Sequence, residues 1–536
     1  MRNRITTISD KTFVILLMLV AFAYHAVVGL QGFDMYDEGF SLTGYQQIFS
    51  APESIEYLFL YYLNNVAGGL WNLALGWGGI YSFRILTGLT LTLTAYVCWL
   101  LLRPLVNRWC IAIGVMMSFL CCYYGIMVFY HNYLTALLST FAAYCLVRAL
   151  TRDSMQWMLL SGFTLGCNIF VRLPNVTLLA FVLLLIPYYI YRKDGTKTLK
   201  MLGAAAAGVT LGVAAVVLLM LLLGHLSIFI NAVNGGFSAA SDASSTHNLS
   251  AMFATYLKIY RIIFTIGFFG NVYSVYLFGT IICLWVILSR RYTEAYVYTA
   301  CTVLLILHCL PLGSDWGVQN MGENCVFLAT PFCVGIVSIE IQRMSVSARV
   351  RHVLNAVALF FALLFMARGV KNIMLQCYFD EGSRTEKTYR PAAALATTYT
   401  TQRNCEVLNS ILDTLAHYVK PGDELLCFQN MPTLHYLTQT RPYLGNPWLW
   451  CYDTSNMERH FQEAERRGGP LPVMVREKAM IPYWTKYYPD WDNTHVESDT
   501  YLHKNKKITL IQQFIRKHHY RVVWENDICQ ILIPTS

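Results

Sequence analysis

Long apolar runs, separated by short polar segments, fill most of the first 375 positions of the chain. A helix that crosses a bilayer needs about 20 apolar residues, and runs of that kind recur along this part of the sequence. The pattern predicts eleven membrane-spanning helices, of which the fifth and sixth can pair as a tight hairpin around Arg172. The predicted spans are Thr12–Leu30, Tyr81–Leu102, Trp109–Ile126, Tyr133–Leu150, Met155–Phe170, Leu173–Tyr191, Leu199–Leu223, Ile262–Leu288, Ala295–Leu312, Asn324–Ile341 and Val353–Val370.

The loop between the first two spans carries a pattern of its own. Apolar residues recur at helical spacing across Ile55–Val66, and the polar residues Glu53, Glu56, Asn64 and Asn65 take the opposite side. This periodicity predicts an amphipathic helix that lies in the plane of the membrane interface. Two roles for it stay open, since it can cap the helix bundle or contact a substrate.

After about Gln376 the apolar runs give way to short helical and strand patterns in alternation, beginning with a helix and the strand Glu424–Phe428. Such alternation predicts a small α/β domain. We therefore expect a mainly α protein with two domains. Residues 1–375 form a multi-span helical membrane bundle with interfacial helices in its first outer loop, and residues 376–536 form an α/β domain outside the membrane.

The charged residues support a membrane protein and also predict how its helices are oriented in the membrane. Only 13% of the residues are charged, against about 25% in soluble globular proteins, which argues against an all-soluble enzyme. The net charge of +9 could suggest a nucleic-acid partner, but most Lys and Arg residues of the bundle fall in alternate loops. Loops rich in these residues face the cytoplasm. We expect a multi-pass membrane protein with an uncleaved first helix, a cytoplasmic N-terminus, an outer C-terminal domain and no nucleic-acid partner.

Acidic residues are scarce on the predicted outer side, and their densest cluster, Asp34, Asp37 and Glu38, directly follows the first span. Carboxylates near lipid are costly to desolvate and usually serve a function. Adjacent Asp37 and Glu38 cannot share one helix face, so one can point at a substrate while the other organises the loop. We take Asp37 and Glu38 as candidate catalytic residues and Tyr36 as a candidate substrate contact; a solvated acidic loop is the alternative.

Four cations stand on the outer side, against the orientation rule: Arg84, Arg172, Lys258 and Arg261. A lipid phosphate is a natural partner at headgroup depth, because the planar guanidinium binds phosphate through two donors. We predict that these cations bind a lipid phosphate. For Lys258 and Arg261, extension towards ordinary lipid headgroups is an equal alternative.

Further candidates for substrate binding are His131 and Asn132, at the outer start of the fourth span, and Asp315 and Glu323, in a short outer loop. A histidine in the position of His131 is more often a hydrogen-bonded structural residue than a metal ligand. The sequence has no metal-ligand spacing, nucleotide-binding lysine motif or dinucleotide glycine pattern. No cofactor is therefore required by the sequence, and a divalent cation stays open.

Taken together, Tyr36-Asp37-Glu38-Gly39 after the first span, the interfacial helices, Arg172-Leu173-Pro174 and the segment Gln429–Thr438 resemble the C-type glycosyltransferase superfamily over nearly the whole chain. The sequence is most similar to the branch that contains protein O-mannosyltransferases and the lipid A aminoarabinose transferase. In that branch a second acidic residue is common where His131 and Asn132 stand here, and a lysine occupies the position of Arg172.

The resemblance implies an enzyme of the bacterial inner membrane that moves a hexosyl or pentosyl group from a polyprenyl-phosphate-linked donor to a hydroxyl of a glycan, lipid or protein. Because the leaving phosphate is a stabilised anion, cations such as Arg84 and Arg172 matter more than a general acid. Asp37 then acts as general base, and in-line attack inverts the anomeric carbon.

Two other classes of protein stay open. One is a transporter or lipid flippase with an outer binding domain, which would favour internal repeats and interrupted helices; the other is a sensor or assembly scaffold. A cavity at the outer membrane surface that joins Asp37, Arg84 and Arg172 would favour the enzyme. A site near the middle of the bilayer would favour the transporter.

Overall fold

The computed structural model describes residues 8–121, 127–241, 249–266, 270–313, 317–428, 430–478 and 504–535. Up to Leu375 the described chain is helical. The α-helices of this part are α1 Asp10–Val28, α2 Asp37–Gln47, α3 Tyr62–Leu75, α4 Gly79–Leu102, α5 Arg108–Cys121, α6 His131–Arg152, α7 Met155–Ile169, α8 Leu185–Arg192, α9 Gly195–Leu222, α10 Leu226–Ser241, α11 Leu249–Ile266, α12 Asn271–Leu288, α13 Glu294–Cys309, α14 Val318–Arg343 and α15 Ala348–Leu375. Two longer 3-10 helices, Pro52–Tyr61 and Leu173–Leu184, join them.

Among the described residues each predicted span falls on helical chain; residues 122–126, the end of the third predicted span, lie outside them. Nine helical segments of the described chain are long and apolar enough to cross a membrane. Helices α5 and α7 are shorter, with 14 and 15 residues, so the number of eleven spans stays a prediction. The eighth span was predicted with the wrong start. Instead of one helix over Ile262–Leu288, the structure has α11, which ends at Ile266, and α12, which begins after the extended Gly270.

Glycines allow a close helix contact between α7 and α9. A Cβ atom on Gly162 or Gly166 would lie 2.3 or 2.4 Å from a backbone oxygen of α9. The same holds from the other side, where a Cβ on Gly208 or Gly212 would lie 2.2 or 2.3 Å from an oxygen of α7. Small residues are how membrane helices approach each other closely, and this pair fixes the position of the loop that follows α7.

The predicted interfacial helix is present, as the 3-10 helix Pro52–Tyr61 followed by α3, but the prediction for its polar side is wrong. Asn64 and Asn65 are buried, and their amides donate to Tyr45 Oη and to the Leu58 carbonyl, each at 2.8 Å. The reason is that α3 packs against α2 on this side. A Cβ atom on Gly44 of α2 would lie 2.2 Å from Asn65 Oδ1, so the two helices touch there. The C-terminal part contacts the segment at another point, where Tyr57 N donates to Gly445 O.

Beyond α15 the chain forms a small mixed sheet with helices. Its elements are α16 Gln402–Leu415, β1 Glu424–Phe428, α17 Thr433–Thr438, β2 Arg441–Pro442, α18 Thr454–Arg467, β3 Val473–Glu477, α19 Lys504–Lys517, β4 Tyr520–Glu525 and β5 Cys529–Pro534. The strand order is β2-β1-β3-β5-β4. Strand β1 is parallel to β2 and β3, while β5 is antiparallel to β3 and β4. The expected α/β character is confirmed, and the short strand β2 is an addition.

The two parts of the chain share one apolar core. A single cluster of buried side chains includes Phe33 and Phe83 from the helical part and Leu434 and Ile531 from the sheet part. Backbone bonds join the loop after α1 to the segment after α15, for example Gly32 N to Tyr399 O at 2.8 Å. The division at residue 375 stays a prediction about folding units. The structure places the acidic loop at the junction of both parts.

Candidate functional site

Asp34 organises the loop that carries the candidate acids. Its carboxylate accepts hydrogen bonds from Tyr36 N at 2.8 Å and Glu38 N at 2.9 Å, and so satisfies amides at the start of α2 that have no partner within the helix. The group is fully buried, and burial, together with the neighbouring charges of Asp37 and Glu38, raises the pKa of Asp34 well above its ordinary value. Asp34 therefore fixes the direction in which the next two acids point.

Glu38 and Arg84 form a closed ion pair, with each side chain only 1% exposed and a shortest distance of 2.7 Å. The guanidinium binds both carboxylate oxygens through Nε and Nη2. Its other donors bind the backbone oxygens of Gly29, Gln31 and Gly32. All five donors of the arginine are thus used.

This geometry bears on two of the predicted roles. All five donors of Arg84 are used in this structure, which argues against a phosphate contact there, and the assignment of Arg84 to phosphate binding stays a prediction. Glu38 is equally committed, because Oε1 also accepts from Val128 N at 3.2 Å, and its catalytic role stays a prediction too. The pair instead ties the loop after α1 to α4, and thereby holds Asp37 in position.

Asp37, the first residue of α2, is held by two tyrosines. Tyr378 donates to Asp37 Oδ2 at 2.6 Å and Tyr130 donates to Oδ1 at 3.3 Å. Burial and then the charge of Asp37 raise the pKa of both phenols well above the ordinary value, so both remain protonated donors. Only 7% of Asp37 is exposed, and a helix start favours the charged carboxylate.

Arg172 is a further charged residue whose effect reaches Tyr130. It is extended, between α7 and the 3-10 helix Leu173–Leu184, and it is buried. Burial and the charge of Asp37 raise the pKa of Tyr130, and the positive charge of Arg172 acts on the same phenol in the opposite direction. Tyr130 is thus within electrostatic reach of both the candidate base and a cation.

His131 and Asn132 stand at the same place and are buried. The imidazole of His131 stacks on Tyr61, with ring centres 4.1 Å apart and planes 14° apart, and also lies against Tyr130. The structure therefore brings Asp37, His131 and Arg172 together around Tyr130, as far as the described residues go.

The other predicted contacts are placed differently. Lys258 and Arg261 have exposed side chains on α11; their assignment to a phosphate stays a prediction. Glu323 is a half-buried residue of α14, and Asp315 lies outside the described residues. Within the described ranges no three His, Cys, Asp or Glu side chains form a group that could hold a metal ion, and the question of a divalent cation stays open.

Sequence reasoning missed an aromatic wall from the C-terminal part. Trp448 and Trp450 stack with ring centres 5.2 Å apart. Trp448 also packs against Tyr36 at 5.7 Å and Phe40 at 5.8 Å, while Tyr36 contacts Phe379 at 4.7 Å. The density of aromatic residues between Tyr443 and Tyr452 is a signal that could have pointed to this wall.

No protein-family model and no curated protein matches the sequence. Among solved structures, the chain is similar to "ArnT from Cupriavidus metallidurans bound to Undecaprenyl phosphate", with a TM-score of 0.50 and 12% sequence identity over 98% of each chain. At this level of identity the similarity is one of fold. The chain therefore shares the fold of this structure over nearly its whole length, which confirms the mainly α bundle with a C-terminal α/β domain that the sequence predicted.

Proposed function

We propose that the protein transfers a sugar from a polyprenyl-phosphate-linked donor to a hydroxyl acceptor at the outer face of the membrane, with Asp37 as general base. One observation carries the proposal: a buried carboxylate held by two phenols, one of which also feels the charge of Arg172. The fold adds support, since the similar ArnT structure holds undecaprenyl phosphate.

In the proposed reaction the acceptor hydroxyl gives its proton to Asp37 as its oxygen forms a bond to the anomeric carbon of the donor. The bond between that carbon and the phosphate oxygen breaks, and its electron pair leaves with the polyprenyl phosphate. Arg172 offsets the charge that develops on this phosphate, and fixed donors of that kind are worth several kcal/mol in a buried site. Attack from the side opposite the phosphate inverts the anomeric carbon.

The two phenols on Asp37 have unequal parts in this scheme. The contact with Tyr378 is short, at 2.6 Å, whereas the contact with Tyr130 is 3.3 Å and lies near the limit for a hydrogen bond. An acceptor hydroxyl can replace the weaker donor without releasing the carboxylate from the stronger one. We propose that Tyr378 orients Asp37 and that Tyr130 gives way to the acceptor.

We propose Tyr36, His131 and Asn132 as substrate contacts, because Tyr36 directly precedes Asp37 and the other two directly follow Tyr130, which donates to Asp37. Lys258, Arg261, Glu323 and Asp315 are retained as proposed contacts from the sequence alone. The donor group is a hexose or pentose and the acceptor a glycan, lipid or protein. The charge of the loops supports an inner-membrane location with the site on the outer side.

The proposal is tested by transfer from labelled polyprenyl-phosphate sugars in membranes that contain the full-length protein. Asp37→Asn keeps the size of the side chain and its acceptor oxygen but removes the base, so transfer should fall about 10²- to 10⁴-fold. Asp413→Asn, an exposed site on α16, is the matched control and should keep full transfer. Full activity of Asp37→Asn would overturn the proposal, and movement of the donor across vesicles without transfer would favour a transporter.

A further inference from the structure

Four helices of the bundle, α5, α12, α14 and α15, enclose a second space that is not part of the Asp37 site. The cavity has a volume of about 660 Å³ and is lined mainly by aliphatic and aromatic side chains. Along α15 the lining residues run from Asn355 to Arg368, which corresponds to about 20 Å at a rise of 1.5 Å per residue. The space is therefore tall and narrow and follows the direction of the helices.

Helix α15 is held closely against α5 near its C-terminal end. A Cβ atom on Gly369 would lie 2.2 Å from the backbone oxygen of Leu120, so the two helices touch there. Nearer the start of α15, the lining residues Phe361 and Leu364 are 57% and 54% exposed. This side of the cavity opens towards the surrounding bilayer.

An apolar space of this size needs an apolar occupant. Water in it would lack hydrogen-bond partners over most of the wall, and an empty space would forfeit the dispersion contacts of every lining side chain. A lipid chain from the bilayer has the shape and the chemistry that the cavity fits.

One end of the cavity is charged. Among the described residues that line it, Arg368 is the only ionisable one in the set Asp, Glu, Lys, Arg and His, and it is exposed. Asn271 marks the same end, since its amide donates to the Phe365 carbonyl one turn away on α15. An arginine within a membrane-spanning helix is costly without an anionic partner, and phosphate is the anion that its planar fork suits.

We propose that this cavity binds an anionic membrane phospholipid, with an acyl chain between the four helices and the phosphate on Arg368. Asp37, Tyr130, Arg172 and Tyr378 do not line the cavity, so the lipid is distinct from the donor and acts on the stability of the bundle. The open side of α15 faces bulk bilayer, where phospholipids are the abundant source of such chains.

Native mass spectrometry of the full-length protein in mild detergent tests this proposal. With phosphatidylglycerol added, the wild-type protein should retain one lipid that Arg368→Gln retains about tenfold less, because a charge-assisted bond is lost. Ala362→Trp places a large ring at a buried lining position and should reduce retention even with Arg368 present. Arg349→Gln, an exposed position of α15 that does not line the cavity, should retain lipid as the wild type does.

Two results would overturn the proposal. In the first, Arg368→Gln and the wild-type protein retain phosphatidylglycerol equally. In the second, an equal concentration of polyprenyl phosphate displaces the phospholipid, which would make the cavity part of the donor site. Thermal unfolding without added lipid checks that Arg368→Gln is folded, so a loss of retention reports on binding.

Discussion

Two acids stand side by side at the start of α2, and their surroundings differ in kind. Glu38 pairs with Arg84, and all five guanidinium donors bind Glu38 or backbone oxygens. Asp37 meets two neutral phenols, one of them at 3.3 Å. A buried charge whose partners are complete serves to hold a loop, whereas a carboxylate with a weak neutral donor can exchange that donor for a substrate. We therefore expect Glu38 to hold the loop and Asp37 to take part in the reaction.

The largest expected effect is a loss of stability when the ion pair between Glu38 and Arg84 is broken. Arg84→Met leaves Glu38 buried without its cation, and breaking a buried ion pair in this way costs about 3–5 kcal/mol of stability. Unfolding of the purified protein in detergent measures the loss. Arg349→Met, at an exposed position of α15, is the control with the same chemical change. If Arg84→Met kept its stability and lost only transfer, Arg84 would belong to the reacting site after all.

A somewhat smaller effect is expected on the Asp37 side. Arg172→Gln removes the charge proposed to face the leaving phosphate, and transfer should fall about 10²- to 10³-fold with less loss of stability than Arg84→Met shows. Rates at saturating donor give this number. Lys258→Gln and Arg261→Gln are matched comparisons on α11, and a larger loss in either than in Arg172→Gln would move the phosphate site to that helix.

Tyr378 and Tyr130 each donate to one carboxylate oxygen of Asp37, so removing either hydroxyl tests one of these two bonds. Tyr378→Phe removes the 2.6 Å bond to Asp37 and should lower transfer about tenfold, because a hydrogen bond to a charged group is lost. Tyr130→Phe removes only the 3.3 Å contact and should change the rate by a few-fold at most. The turnover rate and the KM for the acceptor distinguish the two variants, and equal losses would contradict the unequal roles proposed for them.

Lowering the pH should destabilise the protein through protonation of His435 in the C-terminal part. We expect this effect to be smaller than those of the substitutions above. Burial lowers the pKa of His435 to about 3, whereas an unfolded histidine takes up a proton near 6.5. The stabilising contribution is therefore complete above about pH 6.5 and is lost as the pH falls towards 3, by up to about 1.4 kcal/mol per pH unit. Unfolding temperatures between pH 7.5 and 5 should fall less steeply for His435→Gln. An unchanged slope would rule out His435 as the cause.

Hydropathy and periodicity predicted the helices and most of the strands, because burial in lipid or in a core leaves a pattern within a few turns of the chain. The break at Gly270 was missed because the apolar runs on both sides resemble one long span, although Gly267, Gly270 and Asn271 are signals in the sequence that could have marked it. Asn64 and Asn65 were placed on the wrong side because they pack against Gly44 and Tyr45 of α2, a contact between helices that the periodicity of one helix does not reveal.

The candidate site was only partly predictable for the same physical reason. Asp37 stood out because a carboxylate beside an apolar span is rare. The surroundings of Arg84 could not be predicted, because its partners include three backbone oxygens, which no residue pattern reveals. Tyr130 and Tyr378 could not be distinguished among 35 tyrosines, because their contact with Asp37 depends on how distant segments meet.

The most direct test of the account measures donor binding and transfer in the same purified protein. Asp37→Asn should bind a labelled polyprenyl-phosphate sugar as the wild-type protein does, because Arg172 still faces the phosphate, while transfer to the acceptor is lost. Wild-type rates of transfer by that variant, or loss of donor binding together with activity, would contradict the assignment of Asp37 as the base.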